Sequence, residues 1–564
     1  MLLYLCIHMH RFNRTSCFIS LLILFLIIQA CSREHKADER TVFRYNESKG
    51  IASLDPAFAS NQTKIWPINQ LFNGLVQLDE KLRIQPSIAR NWAISEDGKN
   101  YEFILRKDVT FHNHFLFMDS IGRKVVASDF EYSLKRLADP ATASPGAWVM
   151  NHVARSENGS LAVGAVNDTI LRITLREPFP AFISLLSMHY CSVVPFELID
   201  YYGKEFRANP VGTGPFKLKL WREGEKLILI KNHQYFEVDE EGERLPYIDA
   251  VAITFIKDKQ SEFLEFIKGN LDFLSGVHPS YKDELLTRDG QLRSKYLERL
   301  NYSTHPYLNT EYLGFMLDET KLDSANSIVL DRNVRMAINH GFDRKKMIAF
   351  MRNNLGIAAL AGFVPEGLPS YSMESVDGYD YNPGASAEYL RKAGYPGGVG
   401  LPVIQLTTNS DYLDLCEYIQ HQLGQLGIRI AIEVGTGATF REMVANSKLP
   451  FFRGSWIADY ADAQNYLSLF YSRNKSPQGP NYTHFESPEY DRIYDLAMKT
   501  RNDSIRWKLY QQLDQMIIDE AAVVPLFYDM VVRFSKNNIS GLGSNAMNLL
   551  SLKKVRIDND PDRR

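Results

Sequence analysis

Segments with the two-residue period of a β-strand and segments with the period of an α-helix alternate irregularly along most of this 564-residue chain. Residues 169–175 (TILRITL) alternate as a strand does, whereas residues 504–518 form a long amphipathic helical pattern. This mixture favours an α/β or α+β architecture over a helical bundle or a β-sandwich. The chain is too long for one compact core and has no internal repeat, so two or three lobes are expected.

The same patterns predict individual elements. Residues 216–230 are expected to form a hairpin that turns at Glu223-Gly224. Further strands are predicted at 101–106, 109–112, 169–175 and 428–434, and helices at 129–137 with Ser128 as N-cap, at 261–268 ended by Gly269, at 332–340 ended by Gly341, at 412–426 ended by Gly427 and at 504–518.

The N-terminus predicts export. Residues 10–14 carry three basic side chains, and residues 18–28 (FISLLILFLII) form an apolar run that ends shortly before Cys31. This order is typical of a secretory signal, and the run is shorter than the roughly 20 residues that a membrane span needs. Translation from Met1 or from Met9 fits this interpretation.

Charge and cysteine content exclude some function classes. The formal net charge is −3, and nucleic-acid binding usually requires a basic surface. Residues 31–40 are charged and lack apolar periodicity, which indicates a short tether. In the body of the chain only Cys191 and Cys416 remain, without metal-ligand spacing. A disulfide between them is possible in an oxidising compartment, but two buried free thiols are the favoured interpretation.

Residues 453–465 (RGSWIADYADAQN) are the most informative stretch for function. Asp459 lies between an indole, Trp456, and a phenol, Tyr460, and the guanidinium of Arg453 lies six residues upstream. A carboxylate among aromatic side chains is stabilised if it meets a cation, because a desolvated charge needs a partner. The alternative is an aromatic core cluster beside a surface aspartate.

Three other motifs carry weaker alternatives. Residues 212–215 (GTGP) lack the Lys-Ser/Thr ending and the following helix of a phosphate-binding loop, so a tight turn is favoured. His112 and His114 could be half of a metal site, although no metal is predicted. Asp459 and Asp462 could act as the acid and base of a secreted hydrolase, but no nucleophile motif accompanies them.

Several motifs in order resemble the extracytoplasmic solute-binding proteins of family 5, the oligopeptide- and dipeptide-binding proteins of bacterial ABC importers. These motifs are the W-x-A-D-Y segment at 456–460, LDP at 54–56 with LFNGL at 71–75, ARNW at 89–92, FILRKDV at 103–109, VASDF at 126–130, NPVGTGPF at 209–216, and VRMAI at 334–338 with FDR at 342–344. Residues 28–31 (IQAC) resemble a bacterial lipobox, which implies cleavage before Cys31 and lipidation of its sulfur.

This resemblance implies a bilobal periplasmic-binding-protein-like α/β fold of the peptide-binding class, with an extra subdomain and a hinge of two crossing strands. The expected division is: signal peptide 1–30; lipidated tether 31–40; lobe I from 41–78, 190–306 and 520–564; extra subdomain 79–189; and lobe II 307–519.

The resemblance also implies a role and a site. The expected protein is a lipid-anchored, monomeric substrate-binding protein outside a bacterial membrane, with a permease and ATPases as partners, no cofactor and no catalytic activity. Its ligand is a short peptide whose ammonium pairs with Asp459 and whose carboxylate pairs with Arg453. Trp456 and Tyr460 wall the pocket, and backbone groups around Ile457 bind the peptide as an added strand.

One departure from the family leaves the cargo open. Where oligopeptide binders hold a His and a Lys near the ligand carboxylate, this chain has Leu413 and Asn339. Arg453 is then the one matching cation, which favours short peptides or another ligand. The alternatives are a sugar, an opine, a metal chelate or a signal peptide in the same fold, or a secreted hydrolase.

Overall fold

The computed structural model describes residues 40–558. The predicted signal peptide, the lipidation site Cys31 and all but the last residue of the tether lie outside the described residues. Within residues 40–558, no helix is both long enough and apolar enough to cross a membrane.

Strands and helices are mixed along the whole described chain, as the sequence predicted. The strands are β1 Val42–Asn46, β2 Val76–Leu78, β3 Ile84–Pro86, β4 Ala89–Ile94, β5 Asn100–Leu105, β6 Val163–Asn167, β7 Ile170–Thr174, β8 Phe216–Arg222, β9 Lys226–Lys231, β10 Ala250–Thr254, β11 Phe273–Ser275, β12 Leu300–Phe315, β13 Ile357–Ala358, β14 Ile404–Asn409, β15 Ile430–Gly435, β16 Phe451–Ile457, β17 Val523–Lys536, β18 Ile539–Ser540 and β19 Arg556–Ile557. The α-helices are α1 Gln62–Leu71, α2 Ala127–Ala138, α3 Phe182–Leu185, α4 Phe196–Tyr202, α5 Lys259–Lys268, α6 Pro279–Leu285, α7 Arg332–His340, α8 Arg344–Arg352, α9 Pro383–Lys392, α10 Leu413–Gly424, α11 Gly437–Ala445, α12 Gln464–Leu467, α13 Pro488–Lys499 and α14 Asp503–Asp519.

The central sheet has the strand order β11-β17-β12-β16-β14-β15, with β13 paired to β17. Successive side chains of its strands point to opposite faces. Tyr312 and Phe452 therefore join an apolar core with α13 and α14. Leu313 and Phe451 join a second core with α7 and α10 on the other face. Both faces of the sheet are buried, which fixes its register.

The two longest strands, β12 and β17, run antiparallel and extend beyond the central sheet. Their register is regular from Leu300 to Pro306 and from Tyr312 to Gly314, with shifts between Pro306 and Thr310 and between Glu311 and Tyr312. Leu300 packs in a small core with α5 and α6, whereas Leu313 packs in the core of α7 and α10. The irregularity thus separates two differently packed halves of the same strand pair.

The remaining large core is built mostly from the N-terminal part of the chain and is called the first core here. It joins the mixed sheet β1-β10-β9-β8 to the antiparallel sheet β4-β5-β7-β6. Phe43 and Leu229 represent the first sheet, and Phe103 and Leu171 the second; all four are fully buried. Tyr460 also packs into the first core, although it follows a strand of the central sheet.

The turn at residues 212–215 packs tightly on the end of α1. A Cβ on Gly212 would lie 2.1 Å from the carbonyl oxygen of Leu71, and one on Gly214 would lie 2.4 Å from that of Gln70. Only glycine permits this approach of two backbones. The structure therefore gives these glycines a packing role, in agreement with the sequence-based preference for a turn.

Most predicted elements are confirmed, including α7 at its exact bounds, the β8–β9 hairpin and α5 ended by Gly269. Residues 109–112 are not a strand; Thr110 forms only an isolated bridge with Lys124. The N-cap of α2 is Val126, because the Asp129 carboxylate accepts the Val126 N–H at 2.9 Å. Helix α10 covers 413–424 and is shorter than the predicted 412–426. Strand β15 covers 430–435, whereas 428–434 was predicted, so it begins two residues later.

Cys191 and Cys416 are both buried free thiols. They belong to different cores, the first core and the core of α7 and α10. This agrees with the favoured interpretation of two unpaired cysteines.

Candidate functional site

Arg453 and Glu311 form a buried ion pair in the middle of the central sheet. Strand β16 pairs with β12 so that Arg453 lies opposite Leu313 and Ser455 lies opposite Glu311. Nη2 of Arg453 donates to Oε2 of Glu311, and the two side chains are only 9% and 2% exposed. The predicted ligand cation is therefore already matched by an internal carboxylate.

Glu311 is held by three further donors. Ser455 Oγ donates to its Oε1 at 2.9 Å, Asn309 Nδ2 at 3.1 Å and Tyr412 Oη at 3.1 Å. Together with Arg453, these donors fix the position of the Glu311 carboxylate.

Arg453 still has unused hydrogen-bonding capacity. Its guanidinium carbon lies 3.3 Å from the ring centroid of Tyr412, so the plane is held against an aromatic face. Its Nε is buried and has no hydrogen-bond partner among the residues that the structure describes. A buried donor without a partner costs free energy unless a ligand or water supplies an acceptor.

Asp459 lies beyond the end of β16, in an aromatic environment. Its surface is exposed, yet crowding by protein raises its pKa above the ordinary value, and a hydrogen bond from the Asn465 side chain opposes that shift. A carboxylate can touch water and still lose much of its hydration when protein surrounds it. Among residues 40–558, no cationic side chain forms an ion pair with Asp459.

Aromatic side chains from two cores face Asp459. Burial raises the pKa of Tyr190 to about 12 and also raises that of Tyr482, and the negative charge of Asp459 adds to both shifts. Tyr190 belongs to the first core, and Tyr482 packs against the core of α13 and α14. Asp459 therefore lies where these two parts of the molecule meet.

The other predicted site residues surround Asp459 closely. Trp456 Nε1 donates to Oδ1 of Asn465 at 2.9 Å, and the Asp459 N–H donates to the same atom at 3.3 Å. The ring of Tyr460 lies 6.2 Å from that of Trp148 and is buried. Ile457, at the end of β16, is 50% exposed.

One edge of β16 is open. The strand pairs with β12 from Phe451 to Ile457, but with β14 only through Phe452. Among the described residues, no strand pairs with the second edge of residues 453–457. This backbone edge runs from Arg453 towards Asp459 and can accept hydrogen bonds from an extended chain.

The structure thus brings Trp456, Asp459 and Tyr460 together and leaves Arg453 further along the strand. Six residues of extended chain correspond to at most about 20 Å. Glu311, Tyr412, Asn465 and Tyr190 were missed by the sequence analysis. The sequence did point to Glu311, because it is the one charged residue in the otherwise uncharged stretch 306–317.

Asn339 and Leu413 do not supply charge. Asn339 is fully buried; its Nδ2 donates to the carbonyl oxygen of Val523 at 3.2 Å, and its Oδ1 accepts from Arg344 at 3.1 Å. Leu413 begins α10 and is half-buried. Its neighbour Tyr412 is the residue of this segment that contacts Glu311 and Arg453.

The two candidate metal ligands have separate partners. His112 Nε2 lies 3.0 Å from the carbonyl oxygen of Gly214, and burial lowers its pKa to about 4. His114 Nε2 lies 3.2 Å from the hydroxyl of Tyr202. Within residues 40–558, no group of three or more His, Cys, Asp or Glu side chains is placed to hold a metal ion.

Ser447, His484 and Asp318 resemble the triad of a serine hydrolase. His484 Nδ1 lies 3.0 Å from Oδ2 of Asp318, and its Nε2 lies 2.7 Å from Oγ of Ser447. However, Nε2 also lies 2.9 Å from the carbonyl oxygen of Ser476, which can only accept. Both ring nitrogens face acceptors, so Nε2 serves as a donor and is not free to act as a general base. Ser447 and His484 are buried, and the cluster fixes a loop to the end of β12.

Asp462, the second carboxylate of the hydrolase alternative, has a different environment from Asp459. It lines a cavity of about 580 Å³ together with Arg506. Burial raises its pKa, and the charge of Arg506 opposes this shift. Its Oδ1 accepts the Gln464 N–H at 2.9 Å. Asp462 thus has the charge of Arg506 nearby, whereas Asp459 has no paired cation among residues 40–558.

Comparison with known proteins places the chain among solute-binding proteins. The family model described as "Bacterial extracellular solute-binding proteins, family 5 Middle" matches residues 83–478. The oligopeptide-binding protein OppA of Bacillus subtilis is 26% identical over 556 residues, covering 93% of this chain and 95% of that protein. The dipeptide-binding protein DppE of the same organism is 24% identical over 538 residues and covers 91% of each chain.

A solved structure shows the same fold. The periplasmic binding protein DppA of Helicobacter pylori, determined in complex with the peptide STSA, superposes with a TM-score of 0.71 at 25% identity. The alignment covers 93% of this chain and 100% of that one. The bilobal binding-protein fold expected from the motifs is thereby confirmed.

Proposed function

The chain belongs to family 5 of the bacterial extracellular solute-binding proteins, and from this premise we propose that it captures short peptides and delivers them to an ABC permease with its ATPases. The family binds solutes outside the cytoplasm and is not catalytic. Relatives that cover nearly the whole chain are named as dipeptide- and oligopeptide-binding proteins, which supports a peptide as the cargo.

The observation that carries this proposal is the uncompensated carboxylate of Asp459. It has an exposed surface, a raised pKa and no cation paired with it in the described part of the chain. The α-ammonium of a peptide would supply the missing positive charge and donate hydrogen bonds. The rings of Trp456 and Tyr460 lower the local dielectric, which strengthens that pairing.

The open edge of β16 supports an extended ligand. Residues 453–457 present backbone groups on the side away from β12, and a peptide bound there would extend the central sheet. Recognition through backbone atoms does not depend on the ligand's side chains, so one site can take peptides of different sequence. The sequence predicted that Arg453 binds the ligand carboxylate, but its guanidinium is already paired with Glu311.

Closure of two lobes around the ligand would use β12 and β17. We propose that lobe I comprises 41–78, 190–306 and 520–564, the extra subdomain 79–189 and lobe II 307–519. The boundary at 307 falls within the register shift between Pro306 and Thr310. A ligand favours closure only through contacts that it makes better in the closed state, and pairing of its ammonium with Asp459 would be such a contact. Anchoring through Cys31 and a monomeric state stay predictions.

Calorimetry with trialanine and N-acetyl-trialanine tests the proposal. The wild type should bind trialanine, and acetylation or Asp459→Asn should each weaken binding about 100-fold, because an unpaired charge in a desolvated site costs several kcal/mol. Asp168→Asn, which removes an exposed carboxylate in the β6–β7 turn, should change nothing. Binding that is indifferent to acetylation would refute the ammonium site.

A further inference from the structure

The far end of the proposed site is electrically neutral before any ligand arrives. Arg453 is paired with Glu311, and Arg352 is paired with Asp529 at 2.7 Å. Asn309 Nδ2 links the two pairs, at 3.1 Å from Glu311 Oε1 and 3.5 Å from Asp529 Oδ2. Two cations and two carboxylates cancel in this cluster.

The near end adds one negative charge, because Asp459 has no cationic partner among residues 40–558. These five side chains therefore sum to one negative charge, which lies at the ammonium end. A zwitterionic peptide brings a positive and a negative charge. Only its positive end meets an opposite charge that is not already matched.

A ligand carboxylate at Arg453 would meet Glu311 across the same guanidinium. The two negative charges would then lie close together in a poorly hydrated site and repel each other. Glu311 is 2% exposed and is held in place by Asn309, Tyr412 and Ser455. It can neither rotate into water nor be screened effectively by salt.

What Arg453 offers to a ligand is therefore a hydrogen-bond donor. Its buried Nε has no acceptor within residues 40–558, and a neutral carbonyl oxygen that approaches the guanidinium adds no second anion. A carbonyl costs less to desolvate than a carboxylate. The geometry thus favours an amide group over a carboxylate at this position.

We propose that Glu311 is the residue that sets ligand charge selectivity: the cleft takes amines with a net positive charge whose far end is neutral, and it disfavours a free carboxylate at Arg453. This inference rests on the proposed function and deepens it. Its ligand class is a peptide with a blocked C-terminus, or one long enough for its carboxylate to lie outside the site. Arg453 then acts as a donor rather than as a counter-charge.

The test compares trialanine with trialanine amide by calorimetry. The wild type should bind the amide about tenfold tighter than the free acid. Glu311→Gln keeps the shape of the side chain but frees the charge of Arg453. This variant should therefore bind the free acid about tenfold tighter than the amide. Glu197→Gln is the matched control, because it removes one carboxylate from the guanidinium of Arg123, away from the site; its preference should remain that of the wild type. A wild type that prefers the acid, or a Glu311→Gln variant with an unchanged ratio, would overturn the inference.

Acetate separates this inference from the peptide function. Acetate at matched ionic strength should raise the Tm of Glu311→Gln and not that of the wild type or Glu197→Gln. If neither peptide binds the wild type, the peptide proposal fails, and the acetate result still decides the role of Glu311. Equal stabilisation of the wild type and Glu311→Gln by acetate would refute it. If Glu311→Gln does not fold, the acid-to-amide ratio and the acetate response of the wild type decide it alone.

Discussion

The two ends of the candidate site each hold a charged side chain, but only one of the two is paired within the protein. At one end Asp459 keeps an exposed carboxylate with a raised pKa and no paired cation in the described chain. At the other end Arg453 is a buried cation that Glu311 neutralises. A ligand therefore gains a counter-charge at the first end and hydrogen bonds at the second. The balance of charge, more than the presence of charged residues, distinguishes what each end can recognise.

Arg123 shows a third state, that of a saturated guanidinium. Its Nε and Nη2 donate to Glu197 at 2.5 and 2.9 Å, and its Nη1 and Nη2 donate to Asp129 at 2.8 and 2.7 Å. All its nitrogen atoms have partners within the protein. This cluster ties α2 to α4 and leaves no donor for a ligand, whereas Arg453 keeps its Nε unpaired.

The largest effect that would sharpen this comparison is on stability. Arg453→Met should lower the free energy of unfolding by about 3–5 kcal/mol, because it leaves Glu311 buried without a counter-charge. Asp459→Asn should leave it unchanged or raise it. Urea unfolding followed by tryptophan fluorescence measures both. Arg352→Met, in a pair whose side chains are 29% and 23% exposed, is the control and should cost about 1 kcal/mol. A cost for Arg453→Met no greater than this would break the comparison.

A second prediction compares the buried carboxylate of Asp514 with the exposed carboxylate of Asp459. Asp514 is buried and has no paired cation among residues 40–558. It accepts the N–H groups of Phe363 and Val364, and burial raises its pKa to about 7. Its contribution to stability is fully present below pH 3.8 and is lost as the pH rises through about 7, by as much as about 4 kcal/mol.

Asp514→Asn should remove this pH dependence and leave ligand binding unchanged, which urea unfolding at pH 4 to 8 and calorimetry at pH 7 would measure. A pH dependence that persists in the variant would assign it to other groups. Loss of binding in the variant would show that burial of an unpaired carboxylate is not enough to separate a structural role from a ligand site.

A third and smaller effect is the pH dependence of binding. The ammonium pairs only with ionised Asp459, so affinity is present above the pKa of that carboxyl and falls as the pH drops through it, by about tenfold per pH unit. Since this pKa is raised above 3.8, the loss should begin at a higher pH than for an ordinary aspartate. Calorimetry between pH 4 and pH 7 measures it, and Asp459→Asn should bind weakly with no such slope. A wild-type affinity that is flat over this range would contradict the assignment.

Local sequence was enough to predict much of the fold. Helix α7 was predicted at its exact bounds because the helical pattern of residues 332–340 is followed directly by Gly341. Residues 109–112 were predicted wrongly as a strand because their alternating pattern has no long neighbour to pair with, and a strand forms only where a ladder does.

For the site, the sequence by itself determined the family and the stretch that ends β16, since Trp456, Asp459 and Tyr460 lie within five residues of one another. It could not determine which charges are already matched. Arg453 and Glu311 are 142 residues apart in the chain and meet only through the register of β12 and β16. Pairing of distant strands depends on the packing of both sheet faces, so the tertiary structure alone decided that Asp459 is left uncompensated while Arg453 is not.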